Sequence, residues 1–219
     1  KKFSLTAVNS AGSGANVQAL GAGTADFAIL QGLYGSYAAT GTGPVTAKQE
    51  NMRSVTMLWQ NVEQFLVPNE MAKTGTMADM LSLKGKSVGL GKQNSGTLGS
   101  NKVLLSGLGI DIEKDYTLMH AGYGPTADAL ANGQVAGVGI PSGPPTGAIT
   151  KLMAANKGKF TMLNVTDEQA AKMDGGRSLW TKRVIKAGTY PGQDKDVTTI
   201  AQPNFLAVNA RVDEEHVYL

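Results

Sequence analysis

The feature that most constrains this chain is a repeated alternation of short apolar runs with helix-like segments, joined by glycine-bearing turns. Residues 3–8 alternate apolar and polar side chains as a half-buried strand does. The turn Asn9-Ser10-Ala11-Gly12-Ser13 follows, and Val17 and Leu20 then share one helical face. Residues 27–30 form a continuous apolar run, as in a strand covered on both faces, and stop at Gln31-Gly32. Residues 53–68 hold two apolar stretches around the polar Gln60-Asn61-Val62-Glu63-Gln64, read as a strand leading into an interdomain crossing. Three further units follow. Residues 87–90 precede a helical face of Leu98, Leu104, Leu105 and Leu108; residues 116–120 precede one with Ala127, Leu130 and Ala131; residues 134–140 run into Pro141-Ser142-Gly143-Pro144-Pro145-Thr146. Thr76 with Asp79, and Thr166 with Gln169, have the spacing of capped helix starts. Residues 197–208 are a late extended segment suited to a return crossing. The pattern predicts an α/β fold built from parallel βα units.

Composition narrows the function. Hydrophobic residues at 42% and charged residues at 17% give a chain of 219 residues enough apolar surface for one or two cores, and two is the working number. The net charge of +3 is thinly spread, with no basic run accompanied by stacking aromatics, which argues against nucleic-acid binding. The absence of cysteine removes thiolate metal sites, disulfides and Cys nucleophiles. His120 and His216 stand far apart without metal-ligand spacing, so neither a metal site nor a cofactor is expected. No apolar stretch approaches the roughly 20 residues that span a bilayer. The first residues lack the apolar core of an export signal, so an exported protein of this sequence would already have been trimmed.

In parallel α/β sheets, ligands sit beyond the carboxyl ends of the strands. That rule selects the loops at residues 10–13, 31–32, 93–97, 122–126 and 142–146, all rich in Gly, Ser and Thr. Several open a helix, so unpaired N–H groups and positive dipole ends would face one cleft, a site for a carboxylate. Gly91-Lys92-Gln93-Asn94-Ser95-Gly96-Thr97 has the position of a phosphate-binding loop, but Thr97 stands where that loop needs its lysine, which argues against nucleotide hydrolysis. No Gly-x-Ser-x-Gly elbow supports a Ser nucleophile at Ser95 or Ser142. Ser10, Ser13 and Asn16 suit helix capping, and Ser10 and Ser13 are also candidates for ligand contact. Gln31 either satisfies backbone groups or reaches the cleft, and the cleft is favoured. Trp59 is a candidate cleft floor and Lys92 the nearest cation.

The wording and order of these loops resembles the extracytoplasmic solute receptors of the TAXI, or TRAP-associated, family. The matching segments are Asn9-Ser10-Ala11-Gly12-Ser13 with Asn16, Gly23-Thr24-Ala25-Asp26-Phe27-Ala28-Ile29-Leu30-Gln31, and Gly41-Thr42-Gly43-Pro44. They continue through Leu83-Lys84-Gly85-Lys86-Ser87-Val88, Asn94-Ser95-Gly96-Thr97 and Ser142-Gly143-Pro144-Pro145-Thr146 to the distinctive Ala187-Gly188-Thr189-Tyr190-Pro191-Gly192-Gln193-Asp194. The resemblance implies a type II periplasmic binding protein-like fold, two αβ lobes joined by two crossing strands. It implies capture of glutamate, glutamine or a dicarboxylate such as 2-oxoglutarate, and delivery to a TRAP membrane permease from a periplasmic or other extracytoplasmic location. Family members begin with a further strand and end with further helices, so the first lobe is expected to be truncated and its ligand site to lack one wall.

The expected lobes are residues 1–60 with 206–219, and residues 63–203, with crossings near 60–68 and 200–208. The expected ligand-binding residues are Ser10, Ser13, Gln31, Trp59, Ser95, Gly96, Thr97, Ser142 and Thr146, with no catalytic residue. A sensor module binding the same ligand is the alternative; an enzyme on the same fold would need a strongly perturbed acid or base that these loops lack. The residues at 190–194 are expected to shape a turn rather than touch ligand.

Overall fold

The computed structural model describes residues 4–218. α1 (Ser13–Gly21), β1 (Phe27–Gln31) and α2 (Gly32–Thr40) lead to the long β2 (Met52–Val62) and, after a break at Glu63-Gln64, to β3 (Phe65–Pro68). A 3-10 segment at Met77–Leu83 precedes β4 (Ser87–Gly89), α3 (Gly96–Gly107), α4 (Ile112–Asp115), β5 (Thr117–Met119) and α5 (Tyr123–Ala131). Then come β6 (Val138–Gly139), α6 (Gly147–Ala155), β7 (Phe160–Met162), α7 (Asp167–Asp174), β8 (Thr181–Ile185), β9 (Val197–Asn209) and α8 (Glu214–Val217).

Two sheets result. One runs β5-β4-β6-β3-β7, with β4 parallel to β5 and β6, and β3 antiparallel to β6 and β7. The other runs β1-β9-β2, all antiparallel, and β8 pairs with the amino-terminal half of β9. The chain passes from one sheet to the other at the β2–β3 break, beside β9: Val62 pairs with Ala201, and the Glu63 N–H donates to Ile200 O at 2.9 Å. This is the α/β architecture of type II periplasmic binding proteins.

Local chemistry explains the elements. Thr166 caps α7 in a full capping box with Gln169, and Gly175 ends that helix in the left-handed conformation. Ser95 caps α3 by accepting from the Leu98 N–H. Leu104 and Leu105 of α3 pack with Val88, Leu90, Met77 and Met80 in one core, while Val17 and Leu20 of α1 pack with Leu30 and Ala207 in another.

Several expectations need correction. Residues 4–8 form no strand and are exposed, and Phe3 lies outside the described residues. Alternation alone cannot hold a strand there, because β9 is the one strand that pairs with β1, and no other strand among the described residues lies along its outer edge. β1 is not covered on both faces: Leu30 is buried against α1, but Ile29 is 43% exposed. Thr76 caps a 3-10 segment rather than an α-helix, and Asp79 reaches back to accept from the Thr74 and Gly75 N–H groups. The strand expected over residues 134–140 contracts to β6, although backbone bonds extend along it from Ala136 to Ile140.

Candidate functional site

A cavity of about 420 Å³ lies where the carboxyl ends of β1, β4 and β5 approach β2 and β9. The volume falls within the usual range for small-ligand sites. One wall is a row across the three-stranded part of the first sheet. Gln31 of β1 pairs with Asn204 of β9, which pairs with Trp59 of β2, so three side chains from distant parts of the chain sit abreast. Trp59 is 43% exposed and presents indole to the cavity. Asn61, two residues along β2, extends this wall.

The starts of α1 and α3 close the cavity from either side. A Cβ placed on Gly12, just before α1, would stand 3.3 Å from the Gly96 nitrogen at the start of α3. A Cβ on Gly96 would collide with Gln31 Oε1 and lie 2.7 Å from Ser13 Oγ. Only glycine permits this approach. The Ala15 N–H donates across the gap to Asn94 O at 3.2 Å. Of the first-turn N–H groups of α3, that of Leu98 is held by Ser95 Oγ, and those of Gly96 and Thr97 lack an intrahelical acceptor. Each helix start carries roughly half a positive charge, so two of them within a few ångströms repel each other and favour an anion between.

Lys92 is the one charged side chain among the lining residues; none is Asp, Glu, Arg or His. Among the described residues it takes part in no ion pair. Tyr123, also in the lining, donates its hydroxyl to Pro141 O, with Thr97 Oγ1 at 3.2 Å. Burial raises the Tyr123 phenol pKa, the Thr97 bond lowers it and the negative charge of Glu63 raises it further. Glu63 itself is buried at the β2–β3 break, where desolvation pushes its carboxyl up to about 7 despite hydrogen bonds from Trp180 Nε1 at 3.0 Å and Gln202 Nε2 at 3.3 Å. Four buried amide or carboxyl atoms near the cavity and crossing lack a partner: Gln31 Oε1, Gln60 Oε1, Asn61 Nδ2 and Glu63 Oε2.

Of the expected ligand-binding residues, Ser13, Gln31, Trp59, Ser95, Gly96 and Thr97 line this cavity, and Ser10, Ser142 and Thr146 do not. Ser10 is exposed, and its Oγ accepts from the Gly12 N–H at 3.2 Å. The hydroxyls of Ser142 and Thr146 bond each other and receive Gln64 Nε2, while the Ser142 backbone pairs with Val62. That loop is thus stapled to the β2–β3 crossing. Tyr190 completes the staple, bonding Gln64 Oε1 and accepting from the Thr146 N–H at 3.0 Å, which matches a turn-shaping rather than ligand-touching place. Ser13 is no cap: its Oγ accepts from the Gln31 N–H at 3.0 Å, pinning the end of β1 to α1. Asn16 donates to Ile29 O at 2.9 Å in the same joint. Asn61, Asn204 and Tyr123 were not singled out from the sequence as contacts. Tyr123 lay within a loop selected by the strand-end rule, whereas Asn204 carries no local signal, since only cross-strand pairing places it.

A larger, open depression of about 1080 Å³ lies between α2 and α3. Of its lining charges, Lys102 pairs with Glu113, Asp111 with Lys114 and Lys172 with Glu168, and it gathers no unpaired buried polar atom.

The arrangement of two sheets, adjacent crossing strands and a cavity at the strand ends defines a type II periplasmic-binding-protein-like ligand-binding fold. The chain is similar to the periplasmic aliphatic sulphonate binding protein SsuA from Escherichia coli, at 15% identity and a TM-score of 0.51, over 94% of this chain and 55% of that one. It is also similar to the effector binding domain of QuiR in complex with shikimate, at 11% identity and a TM-score of 0.50, over 92% of this chain and 70% of that one. The chain therefore spans about half the length of the sulphonate-binding protein, 55% of it. It belongs to the NMT1-like family, which it matches over residues 1–219.

Proposed function

We propose that this chain is the ligand-gripping part of an extracytoplasmic solute receptor of the TAXI type, which captures a small carboxylate and presents it to a TRAP membrane permease. The single observation that carries this reading is the meeting of the α1 and α3 starts at a cavity whose one charged lining side chain is Lys92. Fixed positive dipole ends with free N–H groups are an anion site. The lobes we assign are residues 1–60 with 206–219, and 63–203, with the crossings near 60–68 and 200–208, where the end of β2 at Gln60–Val62 pairs with Ala201–Pro203 of β9. Ligand held from both walls favours the closed arrangement over an open one, because only the closed arrangement contacts it from both sides. The names of the two similar proteins, one for aliphatic sulphonates and one in complex with shikimate, are compatible with an organic anion here. The cavity lining carries no carboxylate or imidazole for acid–base chemistry, which supports binding rather than catalysis. The test is isothermal titration calorimetry with glutamate, glutamine and 2-oxoglutarate. Saturable heat at a stoichiometry of about one is expected, and a folded protein giving no heat with any small acid would overturn the reading.

A further inference from the structure

The polar groups around the cavity restrict the acid it takes. An α-amino acid brings an ammonium as well as a carboxylate, and burying an ammonium without a carboxylate partner is strongly unfavourable. Here the lining supplies Lys92 and two helix starts for negative charge and no acidic side chain for a positive one. The wall formed by the first sheet holds two unsatisfied groups of opposite sense, both shut off from solvent here: Gln31, 6% exposed, has an unpartnered acceptor at Oε1, and Asn61, 3% exposed, has an unpartnered donor at Nδ2. An ammonium only donates and an oxo group only accepts. A hydroxyl does both. Gln31 Oε1 is covered by Gly96 of the opposite wall, so a ligand group reaches it as these two walls part.

Resting on the reading of this site as a carboxylate receptor, we infer that it is selective for hydroxy acids: the carboxylate lies at the helix starts and Lys92, the hydroxyl faces the Gln31–Asn61 wall, and Trp59 covers the apolar remainder. The inference narrows the ligand class away from amino acids and from acids without a hydroxyl.

Calorimetry on the unmutated protein tests this with matched sets sharing one carbon skeleton: lactate, alanine, pyruvate and propionate, then 2-hydroxyisocaproate, leucine, 2-oxoisocaproate and 4-methylpentanoate. In at least one set the hydroxy acid is expected to bind about three- to tenfold more tightly than the oxo and unsubstituted acids, and about tenfold or more above the amino acid. Gln31→Met, checked for an intact melting transition, should abolish most of the preference for hydroxy over unsubstituted acid. An amino acid binding as well as or better than its hydroxy analogue overturns the selectivity and leaves the receptor reading standing. Equal affinity of hydroxy, oxo and unsubstituted acids also overturns it. Absence of heat with every acid, glutamate, glutamine and 2-oxoglutarate included, removes the receptor reading itself.

Discussion

Replacing Glu63 by glutamine isolates the energetic consequence of placing a carboxyl inside the crossing between the two sheets. The side chain is 1% exposed, its Oε1 receives Trp180 and Gln202, and its Oε2 has no partner. Burial therefore raises its pKa from 4.5 to about 7. Between those values the folded protein holds a proton that the unfolded chain has released, so this group's contribution to stability is full below pH 4.5 and is lost as pH rises through 7. At about 1.4 kcal/mol per pH unit, the displacement corresponds to about 3 kcal/mol between acid and alkaline conditions. The substituted side chain would retain an amide oxygen for Trp180 and Gln202 and never ionise. Glu63→Gln should therefore match the parent protein near pH 4 and exceed it by up to about 3 kcal/mol at pH 8.5, a rise in Tm of roughly 6–12 °C for a chain of this size. Urea and thermal melts of both proteins from pH 4 to 9, followed by far-UV circular dichroism and Trp emission, give the difference directly. Other titrating groups are shared and cancel in that difference. A stability difference that stays constant across pH 5–8 would refute the reasoning, since Glu63 would then not be exchanging its proton in that window.

Lys92→Met should weaken binding of a small acid about three- to tenfold, and the loss should shrink at 0.5 M salt, where the parent's own electrostatic advantage is screened; calorimetry at two ionic strengths reads both effects. Gly96→Ala places a methyl group against Gln31 Oε1 and Ser13 Oγ and forces the α1 and α3 starts apart. An affinity loss of about tenfold or more is expected with the far-ultraviolet circular dichroism unchanged, and an unaltered Kd would show that the two starts do not act together. Tyr190→Phe removes the hydroxyl shared by Gln64 and the Thr146 N–H. A stability loss of about 2 kcal/mol, read as a Tm fall of roughly 4–8 °C, should leave ligand affinity within about twofold because the 142–146 loop does not line the cavity.

Much of the architecture was legible in local pattern. The capping box at Thr166 and Gln169 and the apolar stripe of Leu104 and Leu105 depend on neighbours within a few residues, and both appear as read. The loops at 93–97 and 122–126 reach the cavity because the strand-end rule is geometric and follows from the parallel order of β4 and β5, and the loop at 31–32 reaches it from the end of β1 in the antiparallel sheet. The loop at 142–146 obeys the same rule and still fails to line it, since its hydroxyls are consumed by Gln64, whose place beside them is set by the crossing.

Sequence by itself determined the α/β class, the starts of α1, α3, α5 and α7, and the concentration of hydroxyl and glycine residues in turns that a ligand could use, because each rests on periodicity or capping over short spans. Tertiary structure alone decided that Gln31, Asn204 and Trp59 stand in one row, that Glu63 is buried, and that residues 4–8 remain outside any sheet. The physical reason is that a strand's partners, and hence which of its side chains meet a cavity, a core or water, are fixed by hydrogen bonds to segments far away in the chain.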